Sequence, residues 1–156
     1  MNLLEKMFGV QETDHRISLS PAEAFAAIAV AAIAADGYLS NQERHRIVEV
    51  LLQVYLFQGY SEQRLTELLE KLFNLLSTRG IDPLVAIARE SLPAELQETA
   101  FTVAVDLVLV DGELSPQEKS FLVRLWNIMD IPVETASQIL DLKVEEYNAI
   151  EIAHQS

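Results

Sequence analysis

An all-α helical bundle is the fold class this sequence predicts, and three observations predict it. Ala and Leu are abundant while aromatic residues make up only 7% of the chain, a mixture that favours helix. No stretch shows the strict period-two alternation of a half-buried strand. The pattern Asp-Gly-x-Leu-Ser-x-Gln-Glu also occurs twice, as DGYLSNQE at 36–43 and DGELSPQE at 111–118, each time between an apolar helical run and an amphipathic one. The expectation is a single domain over 1–156 with about seven to eight helices. Its two pseudo-symmetric helix-loop-helix halves cover about 21–57 and 94–130.

The elements follow from local signals. A short amphipathic segment near residues 2–8 comes first, bearing Met1, Leu3, Leu4, Met7 and Phe8, and its expected fate is to pack on its own domain. Helices are then expected near 20–35, 41–57, 62–79, 83–91, 94–110, 116–129 and 133–141. Ser20, Ser40 and Ser115 each stand three residues before a glutamate (Glu23, Glu43 and Glu118), the signature of a capping box. Pro21 and Pro116 occupy first helical positions, where the missing N–H costs nothing. Asp82 before Pro83 reads as another N-cap, Pro93 and Pro132 open later helices, and Gly80 ends the helix that starts after Ser61. The tail from Lys143 is expected to add one more turn or to fray.

Two of these helices, 24–35 and 100–110, are apolar nearly all round and so belong at the centre of the bundle, packed on each other. Both run directly into an Asp-Gly pair. A pseudo-two-fold relation between the halves would let the two acidic corners approach each other. Trp126, Phe121 and Leu125 form a stripe that reads as core, and His45 is expected to face solvent or the edge of a pocket.

Composition bounds the function. A formal charge of −13 argues against nucleic acid, whose phosphates would be repelled. With no cysteine, disulfides, thiolate metal sites and thiol redox chemistry are excluded, direct thiol reduction of a substrate among them. The three histidines, His15, His45 and His154, contain no pair at helical spacing, so a zincin-type site is absent. The opening MNLLEKMFG lacks the basic and apolar regions of a signal peptide, and the run 24–35 is too short to span a bilayer. A cytoplasmic protein is the simplest expectation.

Each place in the repeated motif has a structural task. Asp36 and Asp111 end a helix, Gly37 and Gly112 turn the chain, Leu39 and Leu114 can staple the next helix, and Ser and Glu close the capping box. The same spacing matches the second half of an EF-hand loop, in which Asp-Gly precedes a hydrophobic residue and a terminal Glu. That likeness fails upstream. The first and third ligand places fall on Ala32 and Ala34 in one copy and on Leu107 and Leu109 in the other, none of which can ligate a hard cation.

The stretches IAADGYLSNQE and LVLVDGELSPQE, two copies of a helix ending in an Asp-Gly corner, resemble the TerB-like family of tellurite-resistance-associated proteins, related to the N-terminal domain of membrane-anchored DnaJ-type co-chaperones. The resemblance covers roughly residues 21–131. It implies an all-helical fold with pseudo-symmetric halves; with no nucleophile-base pair, phosphate-cradling glycine loop or cofactor signature in the sequence, the expected function is a non-enzymatic module in tellurite or stress resistance that acts through a protein partner or a second copy in a homodimer. It also implies a metal bound by Asp36, Glu43, Asp111 and Glu118. An all-carboxylate set suits Ca²⁺, Mg²⁺ or Mn²⁺. Val110 stands where the first copy has Ala35, a larger side chain at the corner. Asp106 interrupts the apolar run 103–110 where the first copy has Ala31. It is the weaker metal candidate; as an ordinary polar residue it would be partly exposed, or paired with an arginine such as Arg44 or Arg124. A purely structural scaffold with no metal site stands beside the metal-binding reading.

Overall fold

The computed structural model describes residues 18–35, 40–109 and 114–155, with backbone alone for 147–155. Seven α-helices are found among them: α1 (Pro21–Ala34), α2 (Asn41–Leu52), α3 (Glu62–Arg79), α4 (Ile81–Ser91), α5 (Ala94–Val108), α6 (Pro116–Ile128) and α7 (Val133–Gln155). The described residues contain no strand, as the composition and periodicity predicted.

α1 is the axle of the bundle. Every residue from Ala24 through Ile33 is buried, and the helix packs against α2, α3, α4, α5 and α6. Alanine makes this possible, because a methyl side chain lets neighbouring backbones approach on all sides without a layer of bulky groups between them. Phe25, Ile28 and Ile33 fill the remaining gaps, each contributing about 1.5–3 kcal/mol by leaving water. α5, the equivalent helix of the second half, buries Ala100, Phe101, Val103, Ala104, Val105, Leu107 and Val108 and lies directly against α1. The two largely apolar helical runs therefore meet at the centre. The buried side chains of all seven helices form one cluster.

All three anticipated capping boxes are present, at Ser20/Glu23, Ser40/Glu43 and Ser115/Glu118. Elsewhere the local signals misplace a boundary. The helix expected over 41–57 stops at Leu52; Val54 turns extended and Tyr55–Phe57 form a 3-10 turn. That break swings Phe57 into the core, edge-on to Phe25 at 6.1 Å and to Tyr60 at 5.3 Å, which leaves Tyr55 outside. Asp82 is not an N-cap: α4 begins at Ile81, and Gly80, at φ 88° and ψ 175°, serves both as the C-cap of α3 and as the N-cap of α4. A residue able to hold that conformation removes any need for a carboxylate cap. Asp82 instead meets the guanidinium of Arg124 on α6 at 2.7 and 2.9 Å. The last helix does not end near 141 but continues to Gln155. The expected segment at 2–8 lies outside the described residues.

Candidate functional site

The helices on either side of the two acidic corners are described, and the outgoing ones start alike. In the first, α1 ends at Ala34 and the Ala35 N–H donates to the Ala32 carbonyl at 3.4 Å. In the second, α5 ends at Val108, and the Leu109 N–H donates to the carbonyl of Val105. Each outgoing helix starts from a serine in extended conformation, with φ −82° and ψ 164° at Ser40 and φ −68° and ψ 160° at Ser115. Asp36, Gly37 and Leu39 of the first corner, and Val110, Asp111 and Gly112 of the second, lie outside the described residues. Leu114 is described, and it packs against the core as a staple should.

The glutamates are held by the caps. The Ser40 N–H donates to Oε1 of Glu43 at 3.0 Å, and the Glu43 N–H donates back to the serine hydroxyl at 3.1 Å. At the second corner the matching distances are 2.8 Å from Ser115 N–H to Glu118 Oε1 and 3.1 Å for the return bond. Both carboxylates are half-buried, each with Oε1 spent on the helix end. A third box, Ser20/Glu23, has the same pair of bonds at 2.9 and 3.1 Å with no Asp-Gly before it. The Ser-x-x-Glu half of the repeat is thus a helix start wherever it occurs in this chain, and Asp-Gly is what sets the two corners apart. Among the described residues, no group of three His, Asp or Glu side chains gathers as a metal-ligand set.

Asp106 has a different partner from the arginines expected. Its carboxylate meets the Nζ of Lys143 on α7 at 3.1 Å, and Lys143 also reaches Glu146 at 3.3 Å. Arg124 belongs to Asp82, and Arg44 pairs with Glu70 at 3.5 Å while its guanidinium lies 4.3 Å from the centre of the Phe73 ring. Burial alone would lower the pKa of Lys143, but the hydrogen bond and charge of Asp106, with those of Glu146, raise it above the ordinary lysine value. No sequence signal marks this pair, because its partners lie on different helices and Lys143 falls in a stretch expected to add a single turn or fray. Glu23 shows the mirror case: burial pushes its pKa up, while the Lys71 ammonium at 2.7 Å and the Ser20 cap outweigh that and lower it.

Two open clefts among the described residues have polar groups in their walls. One, of about 230 Å³ between α2 and α3, has Leu69 and Phe73 with Asn41, Arg44, His45, Thr66 and Glu70, so His45 does sit at a pocket edge. The other, of about 330 Å³, lies beside the start of α1 among Ser20, Glu23, Tyr60, Arg64, Glu67 and Leu68. Trp126 packs edge-on to Phe101 at 6.1 Å, and Phe121 and Leu125 are buried, which confirms that stripe as core. Among the described residues, no helix is long and apolar enough to cross a membrane.

These features define a class: an all-helical module in which two buried helices, packed on each other, each deliver the chain to a corner closed by a serine-glutamate cap. The family described as Tellurite resistance protein TerB matches residues 22–141, from the first turn of α1 into α7. The chain belongs to the TerB family. No curated protein and no solved structure matches it.

Proposed function

We propose that this chain is a non-enzymatic, cytoplasmic TerB module that binds a divalent cation at its acidic corners and acts in tellurite or stress resistance through contacts with a protein partner or a second copy of itself. The observation that carries the reading is the matching serine-glutamate cap that follows each Asp-Gly motif. Each motif follows a helix whose last turns are largely buried and precedes another whose Glu43 or Glu118 is fixed in place by its own cap. Fixed carboxylates are what a hard cation needs, since ligand oxygens must converge about 2.0–2.6 Å from it. The donor chemistry fits: Glu43 and Glu118 are carboxylates held in position by an N–H on Oε1. Asp36 and Asp111 add a carboxylate to each corner by sequence. Bound there, Ca²⁺, Mg²⁺ or Mn²⁺ would supply charge neutralisation and would tie the corners of the two halves together.

The test is calorimetric titration with each of the three cations, wild type beside Asp36→Ala/Asp111→Ala. Saturable binding in wild type that falls at least about tenfold in the double variant is expected, because second-sphere changes alone already reach that size. Equal binding by both proteins, or none by wild type, overturns the metal site.

The scaffold reading is favoured by one observation of its own. The Ser20/Glu23 box shows that Ser-x-x-Glu builds a helix start here without any Asp-Gly corner. Under that reading the glutamates are caps only, and removing their charge while keeping the cap leaves partner binding unaltered.

A further inference from the structure

α7 is attached differently from the other helices. α1 is surrounded by five neighbours, whereas the chief support of α7 is α5. Of its residues from Val133 to Glu146, Ala136 alone is buried; Ile139 and Leu140 are half-buried against the core, while Val133, Leu142 and Val144 are exposed. Sparse apolar burial along a helix is the mark of an element that opens before the rest. The family match ends at residue 141, within this helix.

The first charged side chain past that point is Lys143, and its partner is Asp106 on α5. This pair is unlike the other described links between helices. Arg44–Glu70, Lys71–Glu23, Arg89–Asp130 and Arg124–Asp82 each leave at least one side chain widely exposed to water. Lys143 and Asp106 are only 20% and 29% exposed, so solvent and salt screen them least. Asp106 is also the one charged residue in the buried run 103–109 of α5, at the place where α1 has Ala31. The second half of the repeat carries a carboxylate there, and a cation from α7 meets it.

The turn before α7 has the form of a hinge with a fixed base. Met129 and Ile131 are buried, Asp130 between them takes a left-handed φ of 56°, and its carboxylate is held by Arg89 of α4. Pro132 then leads into the helix, its carbonyl accepting from the Ala136 N–H at 3.0 Å.

We infer that α7 is a detachable strap, hinged at Asp130 to Pro132 and latched to α5 by Lys143–Asp106, which lifts as one unit while the α1-centred bundle stays folded. Lifting bares the packed side of α7, including Ala136, Ile139 and Leu140, and the α5 surface it covers. Lys143 is a positioning residue here: it sets how often the strap is open.

Hydrogen exchange of the full chain, read by mass spectrometry, tests this. In wild type, amides at 135–146 should exchange ahead of those in α1. Lys143→Met, which keeps the apolar stem and removes the charge, should speed exchange at 135–146 about tenfold, with α1 unchanged; loss of a part-buried pair has that size. Lys143→Arg restores a cation and should stay near wild type. The strap is refuted if α7 exchanges no earlier than α1 in wild type, if Lys143→Met leaves α7 unchanged or quickens every helix alike, or if Lys143→Arg is as fast as Lys143→Met.

Discussion

Glu118 carries two roles that substitution can separate. As a cap, its Oε1 accepts the Ser115 N–H at 2.8 Å, a bond that a glutamine side-chain oxygen can also accept. As a cation ligand it needs its charge. Glu118→Gln therefore keeps the cap and loses only the attraction of a carboxylate for the helix start, about 0.3–1 kcal/mol. Glu118→Ala also leaves a half-buried N–H at Ser115 without that partner, and the total loss rises to about 1–2 kcal/mol. For a chain of this size, 1 kcal/mol moves the melting midpoint by about 2–4 °C. The expected order by calorimetry is wild type, then Glu118→Gln lower by about 1–4 °C, then Glu118→Ala lower by about 2–8 °C. The same Gln variant, titrated with Ca²⁺, Mg²⁺ and Mn²⁺, should bind at least about tenfold more weakly if the corner is a cation site. Glu118→Gln as unstable as Glu118→Ala would refute the capping argument. A stable Glu118→Gln that binds cations like wild type would refute the ligand role of Glu118.

Three further expectations rest on separate parts of the fold. Gly80→Ala should lower stability by about 1–3 kcal/mol in chemical denaturation, since φ 88° with ψ 175° is a region that essentially only glycine occupies. The nearest atom to an added Cβ, Pro83 Cδ at 4.0 Å, leaves room for it, so backbone strain alone is read; an unchanged midpoint would contradict it. Ala27→Leu, at a fully buried place on α1, should cost about 1–3 kcal/mol or more by forcing the packed helices apart, and a neutral result would mean that α1 is not tightly enclosed. Lys71→Met removes the partner that helps lower the Glu23 pKa. A lowered folded-state pKa gives stability that is present above the unfolded glutamate value and is lost as pH falls through the folded one. Wild type should thus exceed Lys71→Met near pH 7, and the gap should close in acid; a gap that persists below the carboxylate range would assign it to packing instead.

The local parts of this fold were legible because their causes are local. A serine, a glutamate three residues on and, in two of the three cases, a proline between them specify a helix start through bonds spanning one turn, and all three such boxes form. The centrality of α1 and of the second half of α5 was legible too, since a helical run with so little polar surface belongs inside. The misplaced boundaries have a different origin. Residues 53–57 carry helical signals, yet burying Phe57 beside Phe25 outweighs them, and Phe25 lies 32 positions earlier. Asp82 beside Pro83 resembles a cap, but Gly80 had already turned the chain, and the carboxylate then went to Arg124.

Asp106 shows most sharply where the two kinds of information part. Its oddity was visible as a charge inside an apolar run and as a break in the repeat, with Ala31 in the corresponding place. A carboxylate that leaves water demands a partner, so the sequence left two outcomes for Asp106, partial exposure or an arginine beside it. Helical spacing could not say which, because that depends on which helix lies over α5. The covering helix is α7, and the answering charge is Lys143, in the segment whose sequence looked least like structure. The two acidic corners pose the same question in reverse. Their glutamates are accounted for by bonds within one turn, so what distinguishes the corners from the Ser20 start is the added Asp36 and Asp111. Substituting those two aspartates, rather than the caps, is what separates a cation site from a pair of well-made turns.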